Sequence, residues 1–79
     1  MTADELFGKL GFTSDESKMM YSMKIIELGR QCDLIIVFDK SREIVVPIFS
    51  THKTTGAISL TGEHLKAINK KFEELGWLK

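Results

Sequence analysis

The residues able to do chemistry are few and widely spaced. Cys32, Asp33, His52 and His64 are the metal-ligand types that a zinc site would draw on. They stand 20 and 12 residues apart from Cys32 to His52 to His64, with no C-x-x-C or H-x-x-x-H pair. The reading is therefore structural. Cys32 is a small residue entering a strand, His64 helps to cap a helix or meets solvent, and His52 belongs to an exposed loop. Cys32 and Ser50 are nucleophile types, but no nucleophile elbow, P-loop or paired-carboxylate motif accompanies them. Thr51 to Gly56 carries a lysine and hydroxyls without the leading glycines that cradle phosphate. The expectation is a protein without catalysis, metal or cofactor.

Basic residues offer a second kind of chemistry. Residues 41–79 hold six basic and four acidic side chains, and residues 1–40 hold five and seven. Lys66, Lys70 and Lys71, with Lys53 and Lys79, could form a small basic face for weak nucleic-acid binding through the last helix. Glu63, Glu73 and Glu74 dilute it, and no aromatic-studded RNA-binding strand is present. A solvated helix face is the simpler reading.

Any such residues must be held by a small body. The chain has 79 residues, 43% of them apolar, and eleven basic residues balance eleven acidic ones. That is one domain, too apolar and too neutral for a disordered tail. No run of about 18 apolar residues is present to cross a membrane as a helix. The acidic Met1–Glu5 start lacks the basic-then-apolar pattern of a signal peptide. A single cysteine cannot make an internal disulfide and fits a reducing cytoplasm. A body this small has little volume for a pocket of about 300 Å³ or more.

Both ends read as helices. Thr2-Ala3-Asp4-Glu5 is a capping box, with Met1 and Leu6 as its staple. The helix stops at Leu10, with Gly11 left-handed and Phe12 folding back on Phe7. Gly8 weakens it, which suggests a close packing contact or a helix that needs its partner surface to form. Thr61 caps the second helix, with Leu60 and Leu65 as the staple. Leu65, Ile68, Phe72 and Leu75 make its apolar stripe, and Lys66, Lys70, Lys71, Glu73 and Glu74 lie outside it. Gly76 ends it and Trp77 folds back on Phe72. The shared phrase F-x-x-L-G-aromatic is one helix stop used twice rather than a duplication.

The middle reads as a sheet. Leu34–Phe38 is an unbroken apolar run between Asp33 and Asp39, short enough for a strand covered on both faces. Ile44–Phe49 pairs with it across a polar turn, and Pro47 makes that strand an edge or marks a bulge. Residues 13–30 are open to two readings. A helix has a second T-x-x-E box at Thr13–Glu16 and a stop at Gly29. A strand over about 18–28 puts Met19, Tyr21, Met23 and Ile25 on one face and Ser22 and Lys24 on the other. The strand is preferred, because a lone hairpin is marginal. Residues 57–60 lead into the last helix and could add a short strand. The expected fold is α+β, ordered helix, three-stranded antiparallel sheet, helix.

Two helices on one face of such a sheet leave the other face needing cover. The candidate contact residues are Met19, Tyr21 and Met23 on the methionine-rich strand, Val45 and Pro47 on the edge strand, and Lys66, Asn69 and Lys70 on the last helix. The expected partner is a protein, with a homodimer through the sheet as a natural supplement to so small a core.

Thr2–Phe7 through Leu10-Gly11-Phe12, and Ile58–Leu60, Leu65–Lys71 and Glu73–Leu78, carry a resemblance over about a third of the chain. These segments resemble short phage, prophage and mobile-element proteins of Gram-positive bacteria. The resemblance implies a helix, a small antiparallel sheet and a closing helix. It implies no mechanism, because the matching residues are mostly caps and core positions, and Asn69, the matching polar residue beside the apolar stripe, is read as bonding a loop.

Overall fold

The computed structural model describes residues 1–27, 29–50 and 60–78. Six elements follow one another: α1 (Ala3–Lys9), β1 (Thr13–Ser14), β2 (Met20–Glu27), β3 (Arg30–Asp39), β4 (Ile44–Ser50) and α2 (Gly62–Leu75). The strands form one antiparallel sheet in the order β1-β2-β3-β4. The class is α+β as expected, but the sheet has four strands among the described residues rather than three. The additional strand is two residues long, too short for any period to show.

The helix ends follow from local chemistry. Thr2 Oγ1 accepts from the Glu5 N–H at 3.2 Å, and Glu5 Oε1 accepts from the Thr2 N–H at 3.1 Å. At the start of α2 the His64 N–H donates to Thr61 Oγ1 at 3.3 Å, and the Thr61 N–H donates to His64 Nδ1 at 3.0 Å. An accepting Nδ1 places the ring proton on Nε2. Gly11 and Gly76 are left-handed, with φ of 95° and 75°. Behind them the Phe12 N–H reaches the Phe7 carbonyl at 3.0 Å and the Trp77 N–H reaches that of Phe72 at 2.9 Å. Both stops are the same motif, and each brings its two rings edge to face. Gly8 has no packing role: it is exposed, and a Cβ there would meet nothing within 4 Å.

Residues 13–19 reject the helical alternative because their polar side chains build a turn. The Asp15 carboxylate accepts from Ser17 Oγ at 2.8 Å, and the Asp15 N–H donates to the Met20 carbonyl at 3.1 Å. Lys18 takes a left-handed φ of 61°. The chain thereby reverses from β1 into β2. Asp39 does the same between β3 and β4, accepting from the Ser41 N–H at 3.0 Å, Ser41 Oγ at 2.8 Å and Arg42 Nε at 2.8 Å. Pro47 lies on β4, the edge strand, where a missing N–H costs least.

Both helices cover one face of the sheet. Phe7 of α1 stacks on Tyr21 of β2 with centroids 4.0 Å apart, and Phe38 of β3 meets Phe7, Tyr21, Phe72 and Trp77. Leu34, Ile36, Ala67 and Ile68 complete this core. The two helices are also tied together, since the Ala3 N–H donates to Glu74 Oε2 at 2.7 Å.

The buried face of α2 is rotated from the expected stripe. Leu65 is 55% exposed, whereas Lys71, expected outside the stripe, is only 7% exposed. Its stem is buried and its ammonium stands 5.5 Å from the Tyr21 ring centre.

Candidate interaction surface

Strand alternation assigns each side chain to a face. On β3, Cys32, Leu34, Ile36 and Phe38 are buried towards the helices. Asp33, Ile35 and Val37 therefore point the other way. The register carries this face across the sheet: Met20, Val37 and Val46 form one row, and Ser22, Ile35 and Ile48 the next. Ile44 lies beyond the first row, and Ile26 lies towards the opposite end. Met20 is 39% exposed, Ile48 42% and Ile26 82%, and Ile35, Val37 and Val46 are half-buried. No described element covers this face.

The row after that of Ser22, Ile35 and Ile48 holds a pair of charges, Lys24 on β2 opposite Asp33 on β3, with Ile26 beyond it. With Thr13, Ser22 and Ile35 the charged pair borders a hollow of about 430 Å³ where β1 stops. Among the described residues neither Lys24 nor Asp33 has an ion pair.

Several expected contact residues lie elsewhere. Tyr21 is fully buried under Phe7, and Met19, Met23 and Val45 pack against the core. Pro47 stands opposite Ile36, a residue of the helix-covered face. These five belong to the inner face, so the outward set on β2 and β4 is the alternate one, Met20, Val46 and Ile48. The signal was the two-residue period, but both parities carry methionine or branched apolar residues. Only the position of the helices decides which parity faces out.

Lys66, Asn69 and Lys70 lie on α2, where they border a shallow hollow of about 360 Å³ with Met1, Leu6 and Glu73. Lys70 pairs with Glu73 at 3.3 Å. With Lys71 buried against Tyr21, the expected basic cluster loses one member. Lys53 and Lys79 of that cluster, together with His52 and the short strand suggested near residue 57, lie outside the described residues.

No group of three or more His, Cys, Asp and Glu among the described residues could hold a metal ion. Cys32 is buried at the start of β3. The clearest perturbation is at Tyr21. Burial pushes its phenol well above the usual range, helped by its hydrogen bond to the Asp4 carboxylate and by the charges of Asp4, Glu74 and Asp15. Ser41 and Arg42 hold Asp39 below the ordinary carboxylate range.

Compared with protein-family models, curated proteins and solved structures, the chain matches none. No described helix is long and apolar enough to cross a membrane.

Proposed function

We propose that the chain is a protein-interaction module without catalysis of its own, and that a second copy of the chain occupies the open face of its sheet. The observation that carries this reading is the one-sided packing. Both helices lie on one face, and two rows on the other face, apolar except for Ser22, have no described cover. Antiparallel sheets tolerate one wet face when its side chains alternate to polar. Here Met20, Ile35, Val37, Val46 and Ile48 are apolar instead.

A second copy fits this face electrically. Equal numbers of acidic and basic residues leave no net charge to hold two copies apart. Strands about 4.8 Å apart with about 3.3 Å per residue outline a patch of roughly 300 Å². A patch of that size is often functional on a monomer. Two such faces together stay below the ~1,200 Å² of stable complexes, so the association is weak and reversible. A cytoplasmic setting and a phage or mobile-element origin complete the proposal.

Nucleic-acid binding through α2 is the other reading of the sequence. Nothing in the geometry favours it, since Lys70 is paired with Glu73 and Lys71 is buried.

Sedimentation equilibrium tests the reading. The chain should move from one-chain mass, 9.0 kDa, towards two chains as its concentration rises from micromolar to millimolar. Ile35→Lys with Ile48→Lys should hold it at one chain with its circular dichroism unchanged. A wild-type chain that keeps one-chain mass throughout overturns the reading.

A further inference from the structure

Lys24 and Asp33 make the open face lopsided in a way that two copies can match. Lys24 is exposed, Asp33 is half-buried, and the antiparallel register sets them side by side on neighbouring strands. They stand next to the Ile35 row, between it and Ile26, and border the hollow beside β1. A charged pair in that place costs desolvation if an apolar surface covers it. An occupant that presents opposite charges there avoids that cost.

We infer that two copies pack face to face about a two-fold axis that runs along the strands between β2 and β3, with Lys24 and Asp33 fixing that alignment. The inference rests on the self-association proposed above. About this axis each β2 lies over the β3 of the second copy. Every cross-strand pair then meets itself reversed. Lys24 faces Asp33 of the second copy and Asp33 faces its Lys24, giving two ion pairs at the rim. Met20 faces Val37 of the second copy in the same way, and the reverse contact repeats it. Sheets packed this way stand about 10 Å apart, at a modest angle set by their twist.

The competing alignments are worse. An axis along β3 sets Asp33 against Asp33 of the second copy. An axis across the strands, through the Ile35 row, sets Lys24 over Met20 and Asp33 over Val37. Joining two sheets edge to edge at β4 leaves Lys24 and Asp33, both on interior strands, out of the contact. Pairs at an exposed rim contribute little raw affinity, but they select between alignments that bury similar apolar area.

The test uses two full-length variants. Lys24→Asp makes the pair doubly acidic, and Asp33→Lys makes it doubly basic. Alone, each should self-associate roughly tenfold more weakly than the wild type, because like charges face each other. Mixed in equal amounts they should recover the two-chain complex, and added salt should weaken it. Lys24→Glu with Asp33→Arg replaces the pair if circular dichroism shows that either variant is unfolded.

Two results overturn the inference: variants that self-associate alone as the wild type does, or a mixture that stays at one-chain mass. If either occurs while Ile35→Lys with Ile48→Lys still dissociates the wild type, the open face remains the contact surface and only the alignment falls. A wild type that never exceeds one chain removes both.

Discussion

Ile35 on β3 stands opposite Ile48 on β4, and both side chains point away from the helices. The same β3 sends Leu34 and Ile36 into the core on the other face. A strand apolar on both sides belongs between two layers, and the described residues supply only one. Self-association would provide the second layer without lengthening the chain.

The aromatic stack beneath the sheet is the main support of the monomer. Phe7→Ala removes a fully buried ring that touches Tyr21, Phe12 and Phe38. Such truncations cost about 3–5 kcal/mol, against a total stability of roughly 4–12 kcal/mol for a chain of this length. Urea unfolding should show the variant with most of its stability lost. A midpoint near that of the wild type would show that the stack matters little.

Gly8 predicts the opposite sign. It is exposed within α1, and space surrounds its missing Cβ. Gly8→Ala should stabilise the chain by about 0.5–1 kcal/mol, because alanine favours helix and restricts the unfolded chain. Thermal unfolding checks this, and an unchanged or lower midpoint would point to a role for the glycine that its surroundings do not show.

Tyr21 is the only tyrosine, so its absorbance reports one group. Burial first, and then the Asp4 hydrogen bond, raise its folded pKa above the unfolded value near 10. The stabilisation is therefore complete below about pH 10 and is lost as pH rises beyond it. Phenolate absorbance should stay absent through pH 10 and appear together with unfolding. Ordinary titration at pH 10 in a folded chain would contradict the buried placement. Tyr21→Phe should remove the coupling to Asp4 and flatten this alkaline dependence.

Asp39 acts at the acid end. Its hydrogen bonds with Ser41 and Arg42 lower its folded pKa, so their contribution is present above the unfolded pKa near 4 and fades as pH falls below it. Asp39→Asn should reduce the fall in stability between neutral pH and pH 3, measured by urea midpoints. An identical acid profile would mean that other carboxylates dominate.

The ends of this fold were legible because capping is local. Thr2 and Glu5, Thr61, Gly11 and Gly76 state their roles within a few residues. The turn at Asp15 was harder, since its T-x-x-E pattern serves a helix start or a reversal equally well, and only pairing of β2 with β3 decides. The outward face was hidden for a related reason. Leu34 to Phe38 is apolar at every position, so no alternation shows which side the helices take. Lys71 escapes the apolar-stripe pattern because a lysine can bury its stem while its charge finds a ring face.

Methyl NMR across a dilution series tests the central claim most directly. The δ1 methyls of Ile35 and Ile48 should shift with concentration, while those of Ile36 on β3 and Ile68 on α2, buried between the sheet and the helices, should stay fixed. Shifts that are absent, or that fall on α1 and α2 instead, would contradict an open sheet face as the contact surface.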